Sequence, residues 1–352
     1  MRKVFLLAFL FITLSFFIFV GIKKPSNFVE MREKSSKSIV YVPLDERPLN
    51  LDYVEEIAHA AGIDLFTPPR NLLPDYKVPA NVDALWSWAI TQNKGAAILS
   101  ADALIYGGLI SSRSHEVPLD ELMKRVENFR LYRKAHPEQK VYVFVTLMRI
   151  LDADSAAEEP DYYAQYGKKI FRLSSLEDKK NTVGLDAGEE KELTNLRNLI
   201  PGDIYSDWLG RREKNLAVTR KLIEMAREGT IDFLILSRDD TSRFGRSRQE
   251  YKELLIAAHG LSSDRFISFP GTDEVGLVLV ARAALEGKRA RIYVSYAPGA
   301  GPATVPGYED VRWTPMSRHK MKNFKLQTDV SIRLYLEIGY LDMACLVSRY
   351  GY

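Results

Sequence analysis

The sequence predicts an α/β fold: a mostly parallel sheet with helices on both faces, doubly wound in the Rossmann-like manner, carrying a helical insertion. Three observations predict it. Short β-rich runs alternate with helical stretches across residues 38–310. Several of those runs are continuously apolar, as strands covered on both faces are. The rhythm breaks once, at 152–230, for a charged and mostly helical stretch too long to be a simple crossover. An incomplete (β/α)8 barrel fits the same alternation, but seven strands can be counted and no clean eighth, which favours the open sheet.

The elements follow in order. After Arg2 and Lys3 come 19 uncharged, mostly apolar residues, Val4 to Ile22, closed by Lys23 and Lys24. At 1.5 Å per residue the run spans roughly 28 Å, close to the hydrocarbon thickness of a bilayer. It lacks the small-residue exit of a cleaved signal peptide, and no cysteine follows for a lipid anchor. A signal anchor is therefore expected over 1–24, a polar stalk over 25–37, and a main domain outside the membrane; secretion after cleavage is the alternative. Ser38–Val42 is the first strand, ended by Pro43, and Asp52–Ala61 is a helix capped by Gly62. Asp64–Phe66 is a short second strand, stopped by Pro68 and Pro69. Asn81–Asn93 sets Val82, Leu85, Trp86 and Ala89 on one helical face. Ala96–Leu99, Val141–Leu147, Ile231–Leu236, Phe266–Phe269 and Arg291–Tyr296 complete the strands, with a helix at Leu119–Ala135.

Within the insertion, helices are expected at Asp161–Lys180, Gly188–Leu199 and Ser206–Arg227. Tyr162, Tyr163, Tyr166, Tyr205 and Trp208 fall there. They either pin the insertion to the body or stack on a ligand from a lid.

Composition narrows the functional classes. Hydrophobic residues at 46% and charged residues at 27% describe an ordinary globular chain. Forty-nine basic and 46 acidic side chains leave a net charge of only +3, with no basic stripe for a phosphate backbone, so no nucleic-acid partner is expected. Cys345 is the sole cysteine, which excludes an internal disulfide and a multi-cysteine metal site. The five histidines show no metal-ligand spacing, and neither a P-loop nor a G-x-S-x-G elbow is present. No cofactor is expected, with Mg²⁺ or Ca²⁺ on Asp45, Asp239 or Asp240 as the lesser reading.

In open α/β sheets and barrels alike, ligands bind at the carboxyl ends of the strands. The first strand is followed by Asp45, Glu46, Arg47 and Asn50, and the third by Asp102, Tyr106, Gly107, Gly108 and Arg113. Arg149 follows the fourth, Arg238, Asp239 and Asp240 end the fifth, and Asp273 and Glu274 follow the sixth. Carboxylates thus meet arginines along one edge. Each aspartate alone fits a helix cap equally well. Adjacent carboxylates facing one pocket would raise one another's pKa and supply a general acid beside an ionised partner. The pair Asp239–Asp240 shares a pocket only if the strand ends at Arg238, because successive strand residues face opposite ways.

Those segments carry a resemblance. Val42-Pro43-Leu44-Asp45-Glu46-Arg47-Pro48-Leu49-Asn50, the stretch Asp102–Arg113 with Tyr106-Gly107-Gly108, Arg238-Asp239-Asp240, and Pro270-Gly271-Thr272-Asp273-Glu274-Val275-Gly276 resemble the bacterial domain-of-unknown-function family 4127. The resemblance covers about 38–310 and implies a bacterial, often exported protein, but no reaction. Residues 311–352 turn basic and lose the strand–helix rhythm, as a truncated or frame-shifted end would.

The reading from this edge is a hydrolase acting on cell-envelope or environmental glycans, with Asp240 as acid, Asp239 as its partner, and Asp273 and Glu274 as a second acidic pair. Arg47, Asn50, Tyr106 and Arg113 would hold the sugar. A metal-dependent phosphoester or ester hydrolase is the second reading, distinguished by loss of activity on chelation. A non-catalytic surface protein that binds a glycan or anion without turnover is the third.

Overall fold

The computed structural model of the protein describes residues 37–286. The apolar run at 4–22, the strand expected at Arg291–Tyr296 and the segment 311–352 lie outside them. Six parallel strands form one unclosed sheet: β1 (Ser38–Val42), β2 (Asp64–Phe66), β3 (Ala96–Ser100), β4 (Lys140–Leu147), β5 (Phe233–Arg238) and β6 (Phe266–Pro270), in the order β2-β1-β3-β4-β5-β6. The open, doubly wound sheet is therefore the observed fold, and the barrel is not. Strand order reverses between β1 and β3, the kind of switch point where such sheets open a crevice.

Alternation along each strand separates two cores. Val40, Val42, Ala97, Leu99, Val143, Val145, Leu234 and Leu236 face one side. There they meet α2 (Val82–Thr91), α4 (Leu119–Ala135), α8 (Arg246–Ala257) and the C-terminal half of α7 (Gly202–Glu228). Ile39, Tyr41, Ile98, Tyr142, Phe144, Ile235 and Phe269 face the other, against α1 (Asp52–Ala60) and α9 (Val275–Ala284). Full burial of such side chains stabilises the fold by about 1.5–3 kcal/mol each.

Between β3 and α4 the sequence suggests a loop, but the chain forms a π-helical turn, Asp102–Tyr106, and a short helix, α3 (Leu109–Ser114). Gly107 and Gly108 join them at φ of 86° and 139°. Every residue of the turn is buried, so no amphipathic period betrays it. Trp86 on α2 donates its indole N–H to the Leu104 carbonyl at 2.8 Å, fixing the turn to the neighbouring helix.

The insertion holds α5 (Tyr163–Thr182) and α6 (Ala187–Leu199) around their own apolar cluster. Its expected limit at 230 needs correction, because α7 runs unbroken for 27 residues. Ile204, Tyr205, Trp208 and Leu209 at its start belong to the insertion, whereas Leu216, Leu222, Ile223 and Ala226 belong to the sheet core. One helix is thus both insertion and crossover. Trp208 and Tyr163 are buried and hydrogen-bonded to each other at 3.1 Å, so these two aromatics pin the insertion and do not face a ligand. Among the described residues no helix is long and apolar enough to cross a membrane.

Candidate functional site

Two charged clusters meet at the carboxyl edge. The first follows β1. Asp45 accepts from Arg47 Nε at 2.9 Å and Nη2 at 2.8 Å, and from Asn50 Nδ2 at 2.8 Å. Arg47 Nη2 and Asn50 Nδ2 then reach Asp273, at 2.6 and 3.1 Å. Asp273 follows β6, which lies four places from β1 in the sheet. The β6–α9 connection therefore folds back over the sheet edge. Gly276 lets it do so: any Cβ there would collide with the buried Tyr41 hydroxyl, which donates to the Asn50 carbonyl at 2.7 Å. Gly271 makes the preceding turn at φ 120°, and its N–H donates to the Arg238 carbonyl at 3.0 Å.

The second cluster follows β3, β4 and β5. The buried guanidinium of Arg113 holds Glu158 at 3.0 Å and Asp239 at 2.5 Å. Arg149 holds Glu158 at 2.9 Å and Glu159 at 2.8 Å, and stands 3.7 Å from Asp239. Burial raises the pKa of Asp239, against the pull of Arg113 and Arg149 and with added repulsion from Asp273. Burial likewise raises Glu159, against the same two arginines. Burial opposes ionisation at Glu158 too, but Arg113 and Arg149 outweigh it and hold that carboxyl below its ordinary range. Arg47 also acts on Glu158, as Asp273 does on Asp239, so the two clusters share one field.

Arg149 is aimed from behind. Arg212, wholly buried, donates to Glu250 through Nε at 2.9 Å and Nη2 at 2.6 Å. It also donates to the carbonyls of Arg149 and Met148, at 2.9 and 2.8 Å. Those bonds fix the backbone that presents Arg149. A turn at Asp75–Val78 reaches the same edge: Tyr76, at φ 49°, donates its hydroxyl to the Ala157 carbonyl at 2.6 Å and its backbone N–H to Glu46 at 3.1 Å. Its side chain is half exposed.

The structure sorts the expected residues. Asp45, Arg47, Asn50, Arg113, Arg149, Asp239 and Asp273 come together. β5 ends at Arg238, so Asp239 and Asp240 both leave the strand partly exposed. Their carboxylates diverge, however: Asp240 accepts from the backbone N–H of Ile150 at 3.1 Å and of Ser242 at 2.8 Å. Glu274 folds back onto the Thr272 N–H at 3.2 Å. The Arg238 guanidinium lies 4.3 Å over the Tyr251 ring. Asp102 and Tyr106 sit in the interior, where Asp102 accepts from the Thr146 N–H at 2.9 Å and the Tyr106 ring stacks on His115. Gly107 and Gly108 abut Pro79, Ala80 and Pro74, so here their lack of side chains serves packing.

Glu158, Glu159, Arg212 and Tyr76 escape the sequence reading. Glu158-Glu159-Pro160 repeats the paired-carboxylate pattern after a strand, a signal hidden by the charged insertion around it. Nothing in the sequence around Arg212 marks it out. Among the described residues no three His, Cys, Asp or Glu side chains are grouped to hold a metal ion.

Fold and site together define a doubly wound α/β protein with an arginine–carboxylate site at the carboxyl edge of its sheet. The chain belongs to the family described as protein of unknown function (DUF4127), whose model matches residues 39–327. No curated protein and no solved structure matches it.

Proposed function

We propose that this edge is the active site of a glycoside-type hydrolase acting outside the cytoplasm, with Asp239 as general acid and Asp273 as its basic partner. One observation carries the reading. Three carboxyls, Asp239, Glu158 and Glu159, face two guanidiniums, Arg113 and Arg149, in a largely buried cluster. Burial raises the pKa of Asp239 and of Glu159, so these are the carboxyls of the cluster that take up a proton most readily. Asp239 is the more open of the two, its side chain 24% exposed against 1% for Glu159, so it is the donor a substrate meets.

In the step that follows, Asp239 gives its proton to the leaving glycosidic oxygen as the C–O bond breaks. Water attacks the anomeric carbon and loses a proton to the Asp273 carboxylate, which Arg47 and Asn50 hold in place. Asp240 passes from acid to positioning residue, because its two oxygens organise the loops after β4 and β5. Tyr76, half exposed and tied to the Ala157 carbonyl one residue before Glu158, offers a ring for a sugar face. The apolar run Val4–Ile22 supports an anchored domain outside the membrane.

The test is release of sugar from an aryl-glycoside panel weighted to N-acetylated sugars, by the purified full-length chain, with and without chelator. Chelator-resistant turnover is expected. Turnover lost on chelation, or glycan binding without turnover, would replace this reading with the metal-dependent hydrolase or the binding protein.

A further inference from the structure

Beside the proposed active site lies a cavity of about 490 Å³, walled by the start of α7, the segment before α5 and the turn after α3. Five carboxylates line it: Glu116, Glu159, Asp161, Asp203 and Asp207. Among the described residues only two cations do, Lys77 and Arg211, and both are engaged. Lys77 donates to the Ala156 carbonyl at 2.5 Å, and Arg211 to the His115 carbonyl, Tyr162 and Asp207. Glu159 forms the link to the site. Its Oε1 accepts from Arg149, while its Oε2 is buried and has no hydrogen-bond partner. A buried carboxylate oxygen without a donor carries a desolvation cost that a ligand donor relieves.

We propose that this cavity binds an organic polyammonium, with one ammonium donating to Glu159 Oε2 and further positive charge answered by Asp161 and Asp203. The observations behind it are the orphaned acceptor, the excess of carboxylates over cations, and a volume within the range of small-molecule sites. Tyr162 and Ile204 supply walls for the carbon skeleton. The inference stands on the cavity and not on hydrolysis, although Glu159 would place a bound amine next to Arg149 and Asp239.

The experiment is isothermal titration calorimetry of the full-length chain with spermidine and with the glucosamine trimer, against the fully N-acetylated trimer. Binding of either amine, weakened by at least about 10-fold in a variant carrying Asp161→Asn and Asp203→Asn, is expected. The binding should also weaken in high salt, and the acetylated trimer should not compete. Spermidine alone binding would assign the site to polyamines, the sugar amine alone to deacetylated glycans. No amine binding at millimolar concentration, equal binding to the double variant, or displacement of the amine by Mg²⁺ would overturn the proposal. Glycoside turnover is measured in parallel, and the double variant should retain it; a wild-type chain that turns over glycoside but binds no amine removes this inference alone.

Discussion

Asp102 and His115 are both neighbours of Tyr106 and give opposite pH signatures. Burial pushes Asp102 up to about 7, only partly offset by its hydrogen bonds from Thr146 and by Arg113. The folded state therefore holds more protons than the unfolded one between about pH 4 and 7, and stability falls as pH rises through that window. The cost reaches about 4 kcal/mol above it. Burial brings His115 down to about 4, despite its bond to Asn215. There the folded state holds fewer protons between about pH 4 and 6.5, and stability rises with pH by about 3 kcal/mol. The two slopes nearly cancel in the wild type. Urea denaturation at pH 4.5 and 7 should show Asp102→Asn gaining stability with pH and His115→Gln losing it. Parallel slopes for the two variants would contradict the assignment.

At the scale of elements, the site depends on two backbone supports that do not touch a substrate. Arg212 satisfies both carbonyls of the Met148–Arg149 turn and both oxygens of Glu250. Arg212→Lys keeps the charge but loses the planar fork, and should destabilise the chain by about 3–5 kcal/mol in chemical denaturation. Gly276→Ala should cost about 1–3 kcal/mol, because its methyl meets the Tyr41 hydroxyl, and should pull Asp273 away from Arg47. An unchanged midpoint for Gly276→Ala would show that α9 can shift freely. Strands and long helices were legible because two-sided burial and amphipathic period are sequence patterns; α4 is observed as expected, Leu119–Ala135. The π-helical turn was not, because its residues are buried all round. The dual role of α7 was hidden because a helix that changes partners midway shows no break in its period.

Across the whole molecule, Asp178 latches the insertion to the start of α8, which packs on the sheet. It accepts from Arg248 at 2.6 and 3.0 Å, from the Gly245 N–H at 2.9 Å and from Gln249 at 3.2 Å. Burial opposes its ionisation, but Arg248, Gly245 and Gln249 hold its pKa below the ordinary value. A depressed carboxylate contributes stability above its unfolded pKa and loses it as pH falls below about 4. Hydrogen exchange in α5 and α6 should therefore accelerate below that pH before the sheet opens, and Asp178→Asn should advance the change to neutral pH. Much of the site was legible because strand ends in a parallel sheet share an edge, which placed Asp45, Arg113, Arg149, Asp239 and Asp273 in one neighbourhood from strand positions alone. Which carboxylates share a guanidinium was not legible. That depends on the fold-back at Gly271–Gly276 and on the path of the 152–162 segment, neither of which has a periodic signature.

Leaving-group dependence reads directly whether Asp239, as proposed, gives its proton to a leaving oxygen. Asp239→Asn would be compared with wild type on an unactivated oligosaccharide and on its nitrophenyl glycoside, whose leaving group needs little protonation. A loss of about 10²–10⁴-fold on the first, with a much smaller loss on the second, is the predicted result. Equal losses on both substrates, or none on either, would contradict the role.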